Sequence, residues 1–274
     1  MPFQTEETSV EDSSPVELYA FTYPGENFYY TSGPLPVTYD SRDYIPVPGL
    51  SRSAITDVGE INKSALSLTA PDTFDVARLF EVAPPSDVVE LVVRRLHRGD
   101  AADARIIWLG RVLNVSWQSG YSKIMCESLY TRLRSPGLRR IYSRNCPHVL
   151  YGAECGASQI AFASVVVMDT VPSSPYELSA TGFGTLPAGS LAGGKLIWEP
   201  GGGIIERRGI RRHNGTTITL THPIPGILST STVTVYPGCD RTRTICESRF
   251  SNLVNFGGFP YIPRKNPFGQ SSVF

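Results

Sequence analysis

Net charge, long apolar runs and secretory features are all lacking in this 274-residue chain. Charged residues make up 18% of it and cancel to zero, which gives no support to a nucleic-acid groove or to binding at an anionic membrane surface. No apolar run approaches the roughly 20 residues that a helix needs to cross a bilayer. The N-terminus, MPFQTEETSVEDSSP, lacks the basic and apolar regions of a secretory signal. We therefore expect folding in a reducing cytosol, where stable disulfides are disfavoured.

Motifs of known catalytic and nucleotide-binding sites are missing as well. The sequence contains no G-x-S-x-G, H-E-x-x-H, P-loop or Rossmann fingerprint, and no carboxylate pair stands out among its 25 acidic residues. The lone G-x-G at Gly182–Thr185 is predicted to lie in a loop without a nucleotide role. His97, His213 and His222 are predicted to be surface or capping residues. Because no nucleophile and base can be assigned, the chain is predicted not to be an enzyme.

Glycine and proline are plentiful, with 25 and 22 residues, and this favours a turn-rich β protein. Alternating or β-branched runs predict strands, and Asp72-Thr73 look like the N-cap of one short helix, Phe74–Val82. The predicted strands of the first half are Val16–Tyr23, Asn27–Thr31, Ser64–Pro71, Val88–His97, Arg105–Trp117 and Tyr121–Leu129. The arginine-rich stretch Leu129–Asn145 is predicted to be a connector, either a solvated basic face or a contact with a partner subunit.

The second half is predicted to be a smaller β unit, which divides the chain into residues 1–145 and 146–274. Its predicted strands are Ile160–Val171, Lys195–Glu199, Ile204–Arg212, Thr217–His222 and Thr230–Tyr236. The last strand leads directly into Gly238-Cys239. Residues 1–14 are predicted to be a polar tail.

Five cysteines are present, and four of them form two pairs in predicted loops. Cys126 lies among strand residues and is predicted to be a core thiol. The pairs are Cys146 with Cys155, and Cys239 with Cys246. Four thiolates in two pairs are the ligand set of structural zinc or of an iron–sulfur cluster, although neither spacing matches the usual zinc knuckle or the ferredoxins. From spacing alone, a metal site, two disulfides and plain core cysteines all remain open.

The stretch Phe250–Phe268 is rich in aromatic residues and has no regular period. It is predicted to cover the cysteine site, or to anchor a partner subunit, since aromatic groups in irregular proline-rich segments dock well on other proteins. The candidate partner-binding residues are Phe250, Phe256, Phe259 and Tyr261.

Two motifs carry a resemblance to a known family: CPHVLYGAECG, and GCDRTRTICESRFSNLVNFGGFPYIPRKNP from Gly238 to Pro267. The four-cysteine pattern resembles the tail-tip proteins of long-tailed phages (siphophages) and of phage-like gene transfer agents, a family that includes tail-tip protein L of lambda-like phages. The likeness extends upstream through TSGP, VTYDSRDYIP and GLSRSAI. It is loosest over residues 172–200.

This resemblance implies a mainly β fold, with a tail-tube-like β-sandwich or barrel hub domain followed by a small β domain that holds a [4Fe–4S] cluster. Zinc in the same site is the alternative cofactor. A redox or hydrolytic enzyme that uses a cluster in a cleft is the alternative from another functional class, and the missing substrate-binding motif weighs against it. The implied ligands are Cys146, Cys155, Cys239 and Cys246. The implied role is structural: a ring, expected to be a trimer, at the virion tail tip between the distal tail protein and the central hub or fibre protein, with the tape measure inside. Assembly is expected in the host cytoplasm.

Overall fold

The computed structural model describes residues 7–8, 15–55, 65–97, 100–134, 137, 140, 142–172, 174–224 and 226–263. The chain divides into two compact units, Met1–Ser135 with Gly201–Glu206, and Pro136–Pro200 with Arg207–Phe274. Most of the predicted tail 1–14, residue 64 of a predicted strand and residues 264–268 of the aromatic stretch lie outside the described residues. The predicted mainly β fold is confirmed. The assignment of 1–145 and 146–274 as hub and cluster domains stays a prediction.

A nine-stranded sheet forms the first unit, in the order β3-β4-β2-β1-β7-β8-β9-β6-β5. Its strands are β1 Pro15–Tyr23, β2 Glu26–Thr31, β3 Val37–Tyr39, β4 Arg42–Pro46, β5 Ser51–Arg52, β6 Leu66–Pro71, β7 Glu90–His97, β8 Asp100–Gln118 and β9 Tyr121–Ser128. Neighbouring strands pair antiparallel except β2 with β4, which are parallel. The predicted hairpin of β1 and β2 is present, with Leu18 opposite Thr31 and Tyr23 opposite Glu26.

Both faces of strand β1 are buried, which explains its nearly unbroken apolar sequence. Tyr19 and Phe21 belong to the main core, which is closed by the short helix α1 (Asp75–Arg78). Leu18 and Ala20 point into a second cluster on the opposite face. The core also contains Cys126, as predicted, and burial raises the pKa of its thiol to about 12. This thiol therefore stays protonated and unreactive at neutral pH.

Helix α1 is shorter than the predicted segment Phe74–Val82, and its N-cap is Phe74, without a side-chain cap. The prediction of Asp72-Thr73 as the cap was therefore wrong. Asp75 instead occupies the first turn, where its carboxylate is favoured by the helix dipole and accepts a hydrogen bond from the Tyr30 hydroxyl at 3.0 Å. Tertiary contacts thus fixed the start of this helix, rather than the local capping sequence.

An ion-pair cluster centres on Glu17 of β1. Its carboxylate accepts hydrogen bonds from Arg52 Nε at 2.7 Å, from Arg95 Nη2 at 3.2 Å and from the Tyr19 hydroxyl at 2.8 Å. Burial by itself would raise the pKa of Glu17. The hydrogen bonds and charges of these partners outweigh the effect of burial and hold the pKa of Glu17 below its usual value of 4.5. The neighbouring Glu7 accepts from Arg95 at 2.6 Å and pairs with His97 at 2.9 Å.

We expect Glu17→Gln to lower the free energy of unfolding by about 1–3 kcal/mol at pH 7, because it removes a half-buried carboxylate from its arginine partners. A lowered folded-state pKa stabilises the protein above pH 4.5, and this stabilisation is lost as the pH falls through that folded-state value. Urea unfolding between pH 7 and pH 3 should therefore show a weaker acid dependence in the variant. The control is Glu127→Gln, which breaks the more exposed pair with Arg111. Equal effects of the two substitutions would contradict the assignment.

The second unit is built on a six-stranded sheet in the order β10-β15-β12-β13-β14-β11. Its strands are β10 Ser164–Val167, β11 Glu177–Ser179, β12 Lys195–Gly201, β13 Ile204–Asn214, β14 Thr217–Leu220 and β15 Thr232–Tyr236. The tip of the β12–β13 hairpin, residues 201–206, belongs to the first unit. This unit also contains the helices α2 (Thr181–Gly184) and α3 (Arg243–Ser248) and the 3-10 helix Leu253–Asn255.

Three predictions for this unit were wrong in detail. The predicted strand Ile160–Val171 splits into a 3-10 turn, Ile160–Phe162, and the short β10. The Gly182–Thr185 motif lies largely on α2 and not in a loop. His213 is buried and not on the surface: its Nε2 faces the carbonyl of Phe183 at 3.2 Å, and the same correction holds for His97 of the first unit. Alternating patterns place a histidine on a strand, but only packing decides which face is covered.

Candidate metal centre

The four paired cysteines lie around the end of β15. Cys146 and Cys155 sit in the irregular segment before the 3-10 turn Ile160–Phe162, and Cys239 follows β15 by three residues. Cys246 was predicted in a loop, but it lies on helix α3. That helix is capped by Thr242, whose hydroxyl accepts from the Ile245 N–H at 3.4 Å. The helix turns Cys246 inward, where it is buried.

All four cysteines line one cavity of about 90 Å³, which we call the cysteine cavity. The predicted convergence of the two pairs is thus found in the structure, and all five thiols of the chain are free of disulfides. Further lining residues are His148, Leu150, Gly193, Arg241, Thr242, Phe250, Asn252 and Asn255. The cysteine cavity has several times the volume of one water molecule, and sulfur, amide and aromatic groups line it.

Backbone contacts hold the two cysteine-bearing segments together. The Cys146 N–H donates to the Arg241 carbonyl at 2.9 Å. The described chain has five non-glycine residues with positive φ, and three of them lie beside the cysteines: Tyr151 (φ 61°), Arg241 (φ 65°) and Ser251 (φ 48°). Such residues are strained and persist where the surrounding structure enforces them, which is common at functional sites.

Hydrogen-bond donors reach two of the sulfur atoms. The Arg241 N–H donates to Cys239 Sγ at 3.3 Å, and the Asn252 side-chain amide lies 3.8 Å from Cys155 Sγ. Burial, with a smaller contribution from the other cysteines, raises the pKa of both Cys239 and Cys246. The charges of four neighbouring thiolates would repel one another, and a bound cation relieves that repulsion.

Aromatic side chains back the cysteine cavity. Tyr151 packs edge-on against Phe250 and Tyr236, with ring centroids 6.0 Å apart in each case, and Phe162 lies 5.0 Å from Phe250. The Tyr151 hydroxyl donates to the Pro237 carbonyl at 2.8 Å. This packing fixes the segment that leads from β15 to Cys239.

One zinc ion and an iron–sulfur cluster require different spacings of four cysteine sulfur atoms. Zinc binds sulfur at about 2.3 Å, so four thiolates around one zinc ion stand about 3.8 Å apart. Among the described residues, no three His, Cys, Asp or Glu side chains come together tightly enough to hold a single ion. An iron–sulfur cubane is larger than an ion and keeps its cysteine ligands farther apart, which suits four cysteines spread around a cavity of this size.

The candidate partner-binding residues divide between interior and surface. Phe250 is buried in the wall of the cysteine cavity, whereas Phe256 and Phe259 line an open groove of about 630 Å³ and Tyr261 is 84% exposed. The Phe259 ring packs at a tilt against the Tyr142 ring, with the ring centroids 4.1 Å apart. Whether these residues bind a partner stays a prediction.

Sequence reasoning missed Asn252 and His148. His148 lines both the cysteine cavity and the open groove, and its Nδ1–H donates to the Asn255 carbonyl at 3.0 Å. A signal for helix α3 was present, since Asp240 and Thr242 precede it as turn and cap residues, with the Thr242 N–H donating to Asp240 Oδ1 at 2.9 Å. No local pattern pointed to Asn252, because Cys155, the partner of its side-chain amide, lies on another segment.

Two family models match this chain. The model described as "Baseplate hub protein, N-terminal attachment domain" matches residues 17–158, more than half of the chain, and contains Cys146 and Cys155. The model described as "Phage conserved hypothetical protein BR0599" matches residues 189–266 and contains Cys239 and Cys246. Each cysteine pair therefore lies in a different matched region.

Two individual proteins are similar to this chain. An uncharacterized protein of Xylella fastidiosa (strain 9a5c) is 32% identical over 171 residues, which cover 60% of this chain and 35% of that protein. The chain thus matches about a third of the length of this curated relative. A chain from the virion of a native gene transfer agent particle has a TM-score of 0.79 at 19% identity, covering 96% of this chain and 92% of the other, and it shows the fold.

Both matched regions are phage families, and the longer match extends from β1 of the first unit past the first cysteine pair of the second. Among the described residues, no helix has the length and apolar character of a membrane span. The match over residues 17–158 establishes that this chain belongs to the phage baseplate hub protein family.

Proposed function

We propose that this protein is a non-enzymatic structural component of a phage or gene-transfer-agent tail tip. It forms a ring, a homotrimer, between the distal tail protein and the central hub or fibre protein, with the tape measure inside, and it is folded and assembled in the host cytoplasm. The match to the hub attachment domain carries this proposal. The gene-transfer-agent fold and the missing catalytic motifs support it.

The proposed cofactor is a [4Fe–4S] cluster held by Cys146, Cys155, Cys239 and Cys246. Four cysteines around one cavity of about 90 Å³ support this proposal, and zinc is the alternative cofactor. When bound, a cluster supplies a multivalent cross-link between distant segments of the chain. The protein's own part is to hold four thiolates in place, to donate N–H groups to sulfur and to exclude water with Phe250 and Tyr151.

The proposed partner surface is the groove that contains Phe256, Phe259 and Tyr142. Charge is unevenly divided between the two units: 13 Lys and Arg against 6 Asp and Glu in residues 136–200 and 207–274, and 12 against 19 in the rest. The second unit therefore carries a formal charge of +7 and the first −7. A positively charged unit with exposed aromatic rings fits an acidic, extended segment of a neighbouring tail protein.

Deletion of the gene tests the hub role. Electron micrographs of particles from the deletion strain should show no complete tails, and plasmid-borne wild-type protein should restore them. Complete, infectious particles from the deletion strain would overturn the proposal.

We expect Phe259→Ala to reduce the fraction of complete tails in this complementation assay about tenfold or more, as truncation of an aromatic anchor does at other interfaces. Phe259 is 45% exposed, packs against Tyr142 and lines the groove, so its truncation removes an aromatic part of the groove wall. Val254→Ala is the matched control, since Val254 is 97% exposed on the same segment and does not line the groove. Similar assembly by the two variants, at equal stability, would rule out this surface.

A further inference from the structure

Asn252 contacts both cysteine-bearing segments at once. Its backbone N–H donates to the Cys246 carbonyl at 3.1 Å, and its own carbonyl accepts from the Cys246 thiol at 3.3 Å. Its side-chain amide donates to the Cys155 carbonyl at 2.5 Å and lies 3.8 Å from Cys155 Sγ. One residue thus links Cys155 of the first pair to Cys246 of the second.

The orientation of this side-chain amide is set by its neighbours. The Asn255 amide donates to Asn252 Oδ1 at 2.7 Å, so the oxygen is occupied and the nitrogen must face Cys155. Gly156, at φ +66°, leaves room for Asn255, because a Cβ there would lie 2.9 Å from the Asn255 amide nitrogen. The Asn255 carbonyl is in turn held by His148. The amide of Asn252 is therefore fixed before any cofactor binds.

We infer that Asn252 is a positioning residue of the proposed cluster: it sets the distance between the Cys155 and Cys246 segments and supplies an amide donor to the Cys155 thiolate. This inference rests on the proposed cofactor. Substitution of a residue that contacts a metal ligand typically weakens metal binding 10- to 100-fold. Hydrogen bonds to cysteine sulfur raise the reduction potential of a cluster. Such a donor stabilises the reduced, more negative cluster.

The test uses Asn252→Asp, which keeps the size of the side chain but removes its donors, and Asn252→Gln, which keeps an amide on a longer arm. Asn145→Asp is the control, since Asn145 is exposed and adjacent to Cys146. In anaerobically purified full-length protein, Asn252→Asp should lose iron to a chelator about 10-fold faster than wild type and show a lower reduction potential. Asn252→Gln should fall between them, and Asn145→Asp should match wild type.

Hydrogen exchange on iron-free protein separates this inference from the cofactor proposal. Asn252→Asp should speed exchange in 152–156 and 246–256 together, even without metal, because the link between them is lost. If wild type binds no iron but this joint loosening occurs, the cluster is refuted, whereas the link that Asn252 makes between the Cys155 and Cys246 segments is upheld. Unchanged exchange together with unchanged iron loss would overturn the role of Asn252. Identical behaviour of the Asp and Gln variants would overturn the role of its amide.

Discussion

A Cys239→Ser variant is expected to lose the broad visible absorption and most of the iron, about four atoms per chain, that the wild-type protein should show after anaerobic purification. Three thiolates would remain around the cysteine cavity, and the hydroxyl of serine is a poor ligand for iron at neutral pH. The 83 residues between Cys155 and Cys239 would no longer be closed into a loop. In the loop-entropy model of cross-links this closure contributes about 4–5 kcal/mol.

Loss of that closure should loosen the second unit and leave the first unit intact. Hydrogen exchange should therefore speed up over residues 146–263, while residues 15–130 keep their protection. Cys126→Ala is the matched control, because this thiol lies in the core of the first unit and not at the cysteine cavity. If the wild-type protein is colourless and binds one zinc ion, the cofactor is zinc and not an iron–sulfur cluster. If hydrogen exchange in Cys239→Ser is as slow as in wild type over both units, the cross-link itself is refuted.

The second large effect is expected from Gly238→Ala. A Cβ at position 238 would lie 1.9 Å from the Ala192 carbonyl oxygen and 2.5 Å from Gly194 N, so the backbone itself must move. The Gly238 N–H also donates to the Ser190 carbonyl at 2.9 Å, and this contact sets the course of the chain into Cys239. Displacement of the backbone moves the Cys239 sulfur away from the other three cysteines.

We expect Gly238→Ala to destabilise the second unit by about 3 kcal/mol or more and to reduce iron content sharply, although no cysteine is changed. Chemical unfolding and iron analysis of the same preparation measure both effects. Gly137→Ala is the control, since a Cβ there meets nothing within 4 Å. Normal iron content in Gly238→Ala would show that the position of residue 238 does not determine the geometry of the cysteine cavity.

Much of the fold could be predicted because each strand carries its own pattern. The strands β1, β2, β7 and β9 follow from alternation or β-branched runs, and a strand needs only that local signal plus a neighbour. The predictions failed where long-range packing decides the start of a helix or the burial of a side chain. Helix α1 begins at a residue that no cap marks, and His97 and His213 are covered by elements distant in sequence.

The candidate site divides in the same way. Sequence by itself determined the four cysteines, their grouping into two pairs and the aromatic residues that follow, because these are properties of residue type and spacing. Only the tertiary structure decided that the pairs share one cavity, that Phe250 lines it while Phe259 faces a groove, and that Asn252 joins the two segments. Contacts between Cys155 and Asn252 cross almost a hundred residues, and a distance of that kind is fixed by the packing of the whole unit and not by any local pattern.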